Sequence, residues 1–401
     1  MNTAQSTPSL PPPSERQNLF GWAYKNLFST WYDALLTFLV LGLIYAVLKP
    51  FTVWLFTQAE WEVVQVNLRL LMAGQYPAEE LWRAWLCLHL LAAIIGLSWG
   101  LWGPQKSRLA LGLLLLPVLL ALFPGLASSA RLNLLGLDLA TLLGFAAGRW
   151  RGAQLRSTAI SLWVLYFPIV LFIIRGAEFI QAWLPVIPTN LWGGLMLTFM
   201  LTVVGIVFSF PLGVLLALGR RSSLPAIRWV SVIYIEVIRG VPLVTILFMA
   251  SVMVPLFLPS DVRIDRVLRT MVGITMFTAA YLAENVRGGL QAIPRGQFEA
   301  SQAVGLSGFH TMLLVVLPQA LRTVIPVIMG LFIALFKDTS LVVTIGLLEL
   351  LGISRSVLAQ PLYISYQIEV YLFISLIYWV FSYFLSYVSR KLEVRLGVGE
   401  R

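Results

Sequence analysis

The chain has very little of what soluble chemistry runs on. Of its 401 residues only 11% are charged, one is cysteine and two are histidine. A lone Cys87 excludes an internal disulfide and any cysteine-ligated cluster, and His89 and His310 stand far apart with no ligand spacing around either. No zinc or haem site is expected, and Cys87 and His89 should simply pack within a membrane helix. Lysine is scarce as well: Lys25, Lys49, Lys106, Lys337 and Lys391 are the whole set, and none follows a glycine. A Walker A loop needs Gly-Lys-Ser/Thr because the lysine reaches the phosphates, so that route to ATP hydrolysis is closed. Scattered carboxylates and isolated histidines form no dyad. No residue is therefore assigned a catalytic role, and neither cofactor nor metal is expected.

What is abundant is apolar: 59% of positions. A soluble domain carries about a quarter charged residues, so the fold class is an all-α polytopic membrane protein. A span needs about 20 apolar residues to cross a hydrocarbon core of about 30 Å. Ten blocks meet that description in outline: 33–56, 84–103, 108–124, 132–148, 157–175, 190–219, 229–258, 267–287, 318–350 and 368–388. The third and fourth are short and close together, which leaves one of them open to a re-entrant or interfacial reading. The net charge of +10 sits in short loops between blocks, a topogenic pattern rather than a nucleic-acid surface. With the amino terminus inside, most basic residues fall in inner segments, from Arg16, Lys106 and Arg149 through Arg220, Arg295 and Arg390 to Arg401. Both termini are then cytoplasmic. The first 32 residues, with Pro8 and Pro11 to Pro13, lack a signal-peptide pattern and read as a disordered cytoplasmic tail. Residues 33–188 form a Leu- and Trp-rich membrane extension without a legible motif. Pro185 and Pro188 mark a break, residues 189–390 form a second membrane domain, and 391–401 a short cytoplasmic tail.

One polar, small-residue stretch interrupts the second domain: Glu299 to Pro318, EASQAVGLSGFHTMLLVVLP. Pro294 and Gly296 should end the preceding helix, which puts Glu299 in a new first turn where a carboxylate suits the helix dipole. Ala300, Ser301 and Ala303 keep one face shallow. Gly305 can take the left-handed conformation that ends a helix, and Ser307 can cap the next. Two short helices meeting at an angle are expected.

Glu299-Ala300-Ser301, then Gly305, then Leu317-Pro318 resembles the Glu-Ala-Ala signature of permease subunits of ATP-binding-cassette (ABC) importers, with Ser301 in place of the second alanine. Further phrases follow in order: Gly194-Leu195-Met196-Leu197-Thr198, Phe210-Pro211-Leu212-Gly213, Tyr234 to Leu243 (YIEVIRGVPL), Ala283 to Leu290 (AENVRGGL), and Lys337-Asp338-Thr339-Ser340-Leu341. From Leu191 to about Leu396 the chain is similar to the polar-amino-acid branch of that family. The five preceding spans resemble the long permeases of general L-amino-acid importers. The resemblance implies a type I importer fold with a five-span core over 190–388 and a coupling loop between its third and fourth spans. It also implies an inner-membrane location, a separate ATPase that binds ATP and magnesium, a second homologous permease subunit and a periplasmic amino-acid-binding protein. Membrane lipid surrounds the chain, and no nucleic acid is involved.

Charges inside apolar blocks cost from about 2.5 kcal/mol upward, so they need partners, water or substrate. Glu236 and Arg239 share a helix face and can pair, just before Gly240 and Pro242 break the span. A substrate path and an interfacial ion pair both fit them. Lys337 and Asp338, followed by Thr339 and Ser340, suit the carboxylate and ammonium of a free amino acid; a wet helix boundary suits them equally. Adjacent opposite charges suggest an unwound or outward-lying stretch there. Glu284 and Arg287 should brace the inner end of their helix. An ion-driven secondary transporter would explain the spans and charges but not the Glu299–Pro318 spacing, and a membrane-embedded enzyme lacks a catalytic cluster.

Overall fold

The computed structural model describes residues 19–104, 108–123, 126–259 and 261–397. Those residues are helical, with only two isolated backbone bridges, Gly74 with Trp192 and Gly194 with Glu349, in place of a sheet. The chain divides into two compact units, Met1–Glu60 and Trp61–Arg401.

The first unit holds α1 (Leu19–Leu27) and α2 (Trp31–Thr57). The expected tail to residue 32 is therefore helical where described; its first eighteen residues, with the proline run, lie outside the described residues, as do Lys106 and Arg401. Thr30 caps α2 by accepting from the amide of Asp33, whose carboxylate in turn accepts from Ser29 and Thr30, each at 2.6 Å. Every face of α2 is apolar, the signature of a helix solvated by hydrocarbon rather than by water on one side.

The second unit opens with two short helices, α3 (Glu62–Val66) and α4 (Leu68–Ala73), and continues with α5 (Leu81–Trp102), α6 (Arg108–Ala121), α7 (Ser128–Trp150) and α8 (Gly152–Arg175). Of the two short blocks, 108–124 is the stub and 132–148 is part of a full-length helix. Glycine brings α5 and α7 together. A Cβ on Gly96 would stand 2.0 Å from the Thr141 carbonyl oxygen, and one on Gly144 2.2 Å from that of Ala93. Gly100 and Gly148 lie four residues on from these along the same faces, which makes two Gly-x-x-x-Gly stripes that meet backbone to backbone.

The remainder comprises α9 (Gly194–Arg220), α10 (Pro225–Arg239), α11 (Leu243–Phe248), α12 (Val254–Phe257), α13 (Arg266–Gln291), α14 (Arg295–Ala303), α15 (Gly308–His310), α16 (Leu317–Asp338), α17 (Leu350–Leu358) and α18 (Gln367–Leu396). A proline disfavours helical geometry in the residue before it, so Pro242 suits the end of α10 at Arg239, and the chain turns by 106° into Leu243–Phe257. Among the described residues seven helices are long and apolar enough to cross a membrane, or eight if that bent pair is one span. The block at 267–287 is present as α13, but its charges keep it outside that count. The tail expected from 391 is a continuation of α18 to Leu396.

The boundary at 188/189 marks a break in the chain, not a division between cores. Cys87 of α5 and Phe167, Val170 and Ile174 of α8 share one apolar cluster with Leu197 and Leu201 of α9, Leu247 of α11 and Ile274 of α13. Arg83, wholly buried, pairs with Glu80 at 2.8 Å and donates to the carbonyl of Pro185 at 2.9 Å, while Tyr76 donates to that of Ile174 at 2.8 Å. Residues 61–188 of the extension are thus part of the same packed body as the second domain. His89 lies against Gly136 in the α5–α7 seam, with its Nδ1 2.6 Å from the Trp85 carbonyl.

Candidate functional site: a helical elbow and an ion-pair hub

Pro294 ends the path of α13 and starts α14, so Glu299 falls a turn later than expected, in the middle of α14 rather than in its first turn. Gly305 then adopts φ +80°, with its amide donating to Gln302 and that of Leu306 donating to Ser301. These two bonds form the Schellman termination that favours glycine at this position. Ser307 caps the next helix by accepting from the amide of His310, as its position predicts. The second arm is not short. From Gly308 the chain runs through a wide π-helical stretch at Thr311–Val316 into α16, helical in one form or another as far as Ile345. The widening sits where Pro318 leaves the Leu314 carbonyl without its usual donor.

Glu299, Ala300, Ala303, Gly305 and Pro318 are exposed, and Val304 (75%) and Phe309 (71%) stand out beside them. Ser301 is not on this face. It is buried, with its hydroxyl donating to the Gln297 carbonyl at 2.6 Å, so the alanine-to-serine departure costs the surface nothing. Leu317 is buried in the inner apolar cluster beneath. The result is a shallow, mostly uncharged ledge, braced to α16 by a hydrogen bond that the Gln319 side-chain amide donates to Gln297 Oε1 at 3.0 Å. Arg221 donates to the Leu290 carbonyl at 3.2 Å and ties the last turn of α13 to α9.

Glu236 and Arg239 do not pair with each other. Arg220, the last residue of α9, takes Glu236 at 2.8 Å, and Arg239 reaches Glu284 at 3.8 Å, its guanidinium lying over the Tyr281 ring. Glu284 also meets Arg220 at 3.4 Å and Arg287 through Nε at 2.7 Å. Shared helix face was correct, but competing cations on α9 and α13 decide the partners. The arrangement is an ion cluster with Glu284 at its centre.

Lys337 and Asp338 end α16, Lys337 exposed and Asp338 half-buried, and neither forms an ion pair among the described residues. The stretch is not unwound. It tightens into a 3-10 helix over Thr339–Ile345, which ends at Gly346 in the left-handed conformation. Thr339 is buried with its hydroxyl donating to the Phe336 carbonyl at 2.7 Å, so it faces the protein, whereas Ser340 is half-buried.

Sequence reasoning gave Glu349 no role, and the structure supplies one. It is wholly buried at the start of α17, accepting from the amides of Leu351 and Gly352, each at 2.8 Å, and from Tyr378 of α18 at 3.0 Å. Thr198 of α9 accepts from the amide of Leu350 alongside, so this knot holds α9, α17 and α18 together.

Residues 209–398 match the family described as binding-protein-dependent transport system inner membrane component. The chain is 38% identical over 394 residues to the inner membrane amino-acid ABC transporter permease protein YhdY of Escherichia coli (strain K12), covering 98% of this chain and 97% of that one. It is 37% identical over 351 residues to BztC of Rhodobacter capsulatus, a glutamate/glutamine/aspartate/asparagine transport system permease protein, covering 85% and 79%. Among solved structures, a crystal structure of an amino acid ABC transporter with histidines aligns at a TM-score of 0.46 and 30% identity, covering 50% of this chain and 92% of that one.

Proposed function

This chain belongs to the binding-protein-dependent inner membrane components, the permease subunits of ABC transporters, and on that premise we propose that it imports L-amino acids. It is a multi-pass inner-membrane subunit. The substrate class rests on the amino-acid permeases it resembles along nearly its whole length, and the mechanism rests on one observation: the Glu299–Pro318 ledge. That ledge is exposed, shallow and joined without a flexible linker to α13 on one side and α16 on the other. A partner that pushes on it moves two core helices.

The partner is an ATPase subunit that binds ATP and magnesium, since this chain has no lysine in a phosphate loop. A periplasmic binding protein delivers the amino acid, and a second, homologous permease completes the pair of membrane subunits. The charge bias between loops supports cytoplasmic termini, which puts the ledge on the ATPase side. Lys337 and Asp338, at the point where α16 tightens, are the residues we assign to the substrate path. Glu236 and Arg239 line its inner end as members of the ion cluster.

The test is uptake of a radiolabelled mixture of L-amino acids by proteoliposomes holding the complex co-purified with this chain. Uptake should require internal or external ATP on the ATPase side and the binding protein opposite. Accumulation by this chain alone under a proton or sodium gradient would establish an ion-driven transporter instead.

A further inference from the structure

Three guanidiniums and two carboxylates meet where α9, α10 and α13 come together: Arg220, Arg239 and Arg287 with Glu236 and Glu284. The connections are unequal. Glu236 has one partner, Arg220, while Glu284 answers all three arginines. Arg239 depends on it most. Among the described residues its buried Nε has no hydrogen-bond partner, and its recorded contacts are the 3.8 Å approach to Glu284 and the Tyr281 ring, itself on α13.

The ends of these helices are the places where transport would be worked. Arg239 is the final residue of α10, immediately before the 106° turn. Glu284 is on the last turns of α13, which leads through Pro294 into the ledge. Arg221 clamps the end of α13 to α9, so the hub and the root of the ledge are held in one frame. Neutralising Glu284 would remove the contacting carboxylate of both Arg239 and Arg287 and loosen α13 from α10, while the Arg220–Glu236 pair keeps α9 and α10 joined.

We infer that Glu284 is a positioning residue for transport, the mechanical link by which displacement of the ledge reaches the bend between α10 and α11. This rests on the permease reading above. It predicts a loss of coupling rather than a loss of fold. Glu284→Gln in the complete complex should leave ATP hydrolysis without binding protein within about twofold of the parent. Amino acid moved per ATP hydrolysed should fall by about tenfold, inside the usual span of an allosteric coupling. Glu284→Asp should retain part of it.

The second arm is a double-mutant cycle with Arg239→Met. If the two residues act through one contact, the double variant falls no further than Glu284→Gln alone. Losses that multiply, or an unchanged ratio of transport to hydrolysis in Glu284→Gln, overturn the inference. Should Glu284→Gln fail to reach the membrane, Glu284→Asp and Arg239→Met carry the same ratio measurement, and a parent-like ratio in both is the overturning result. Gly305→Asp in the same preparation separates the two levels. If it abolishes stimulation by the loaded binding protein while Glu284→Gln does not, the ledge assignment stands and only the hub fails.

Discussion

The two halves of the second unit are built on opposite principles. In the extension, α5 and α7 meet backbone to backbone through glycine. Helix α8 adds hydrogen bonds to α5 from Trp163 to Ser98 at 2.9 Å and from Tyr166 to the Cys87 carbonyl at 3.1 Å, and among the described residues no ion pair joins the three. In the core, α9, α10 and α13 meet at one end through three ion pairs around a bent span, with a fourth, Arg287–Glu284, inside α13. Backbone-close packing in a membrane gains from dispersion and leaves few alternatives, so it suits a part that stays put. Ion pairs between half-exposed side chains are weakly worth having and readily exchanged, which suits a part that changes arrangement. The difference teaches where to look for motion: at α10, α13 and the ledge, not in the extension.

The harshest test of that division is on the ledge. Gly305→Asp or Glu299→Lys should abolish transport while the subunit remains in the membrane. The left-handed geometry at Gly305 costs a non-glycine residue only about 1–2 kcal/mol, which is too little to unfold the chain but enough to re-aim the elbow. Uptake assays with membrane-level blots decide it, and normal uptake by both variants would remove the coupling assignment.

Next in size is the seam between the halves. Arg83→Met should destabilise the purified subunit by about 1–3 kcal/mol, because it leaves the Pro185 carbonyl without its buried donor, while Glu80, partly exposed, keeps the Trp82 indole N–H. Thermal unfolding in detergent reads the change, and no shift would mean that the shared apolar cluster alone holds the extension on the core.

Inside the extension, Gly144→Leu should cost about 1–3 kcal/mol by forcing α5 and α7 apart. Gly112→Leu on α6, where nothing stands within 4 Å of the added carbon, should leave the melting temperature alone. Equal behaviour of the two variants would break the glycine-packing account. Transport per folded complex should fall little in either, since the extension is predicted to be static.

The mildest effect belongs to the tightened end of α16. Lys337→Gln and Asp338→Asn should each lower amino-acid flux by about tenfold, as expected when a charged contact worth about 1.5–3 kcal/mol is lost. Arg131→Gln, an exposed change on α7, should be nearly silent in the same uptake assay. Parent-like flux from both α16 variants over a range of amino-acid concentrations would move the path elsewhere and leave the hub as the core's only charged working part.

Much of this was legible along the chain because it depends on near neighbours. Apolar runs gave the helices, Pro242 the bend, and Gly305 with Ser307 the elbow, since each acts on backbone within a few residues of itself. The paired Gly-x-x-x-Gly stripes at Gly96 and Gly144 were also open to reading, but only tertiary packing showed that they face one another. Residue type and spacing therefore determined the class of protein, the spans and the ledge. Tertiary structure alone decided which arginine Glu284 and Glu236 would take, that Arg83 would be buried against Pro185, and that Glu349 would cap α17 beside Tyr378. These are contacts between residues far apart in sequence, and an ion or a buried carboxylate selects its partner by distance and desolvation, quantities that exist only once the helices are packed.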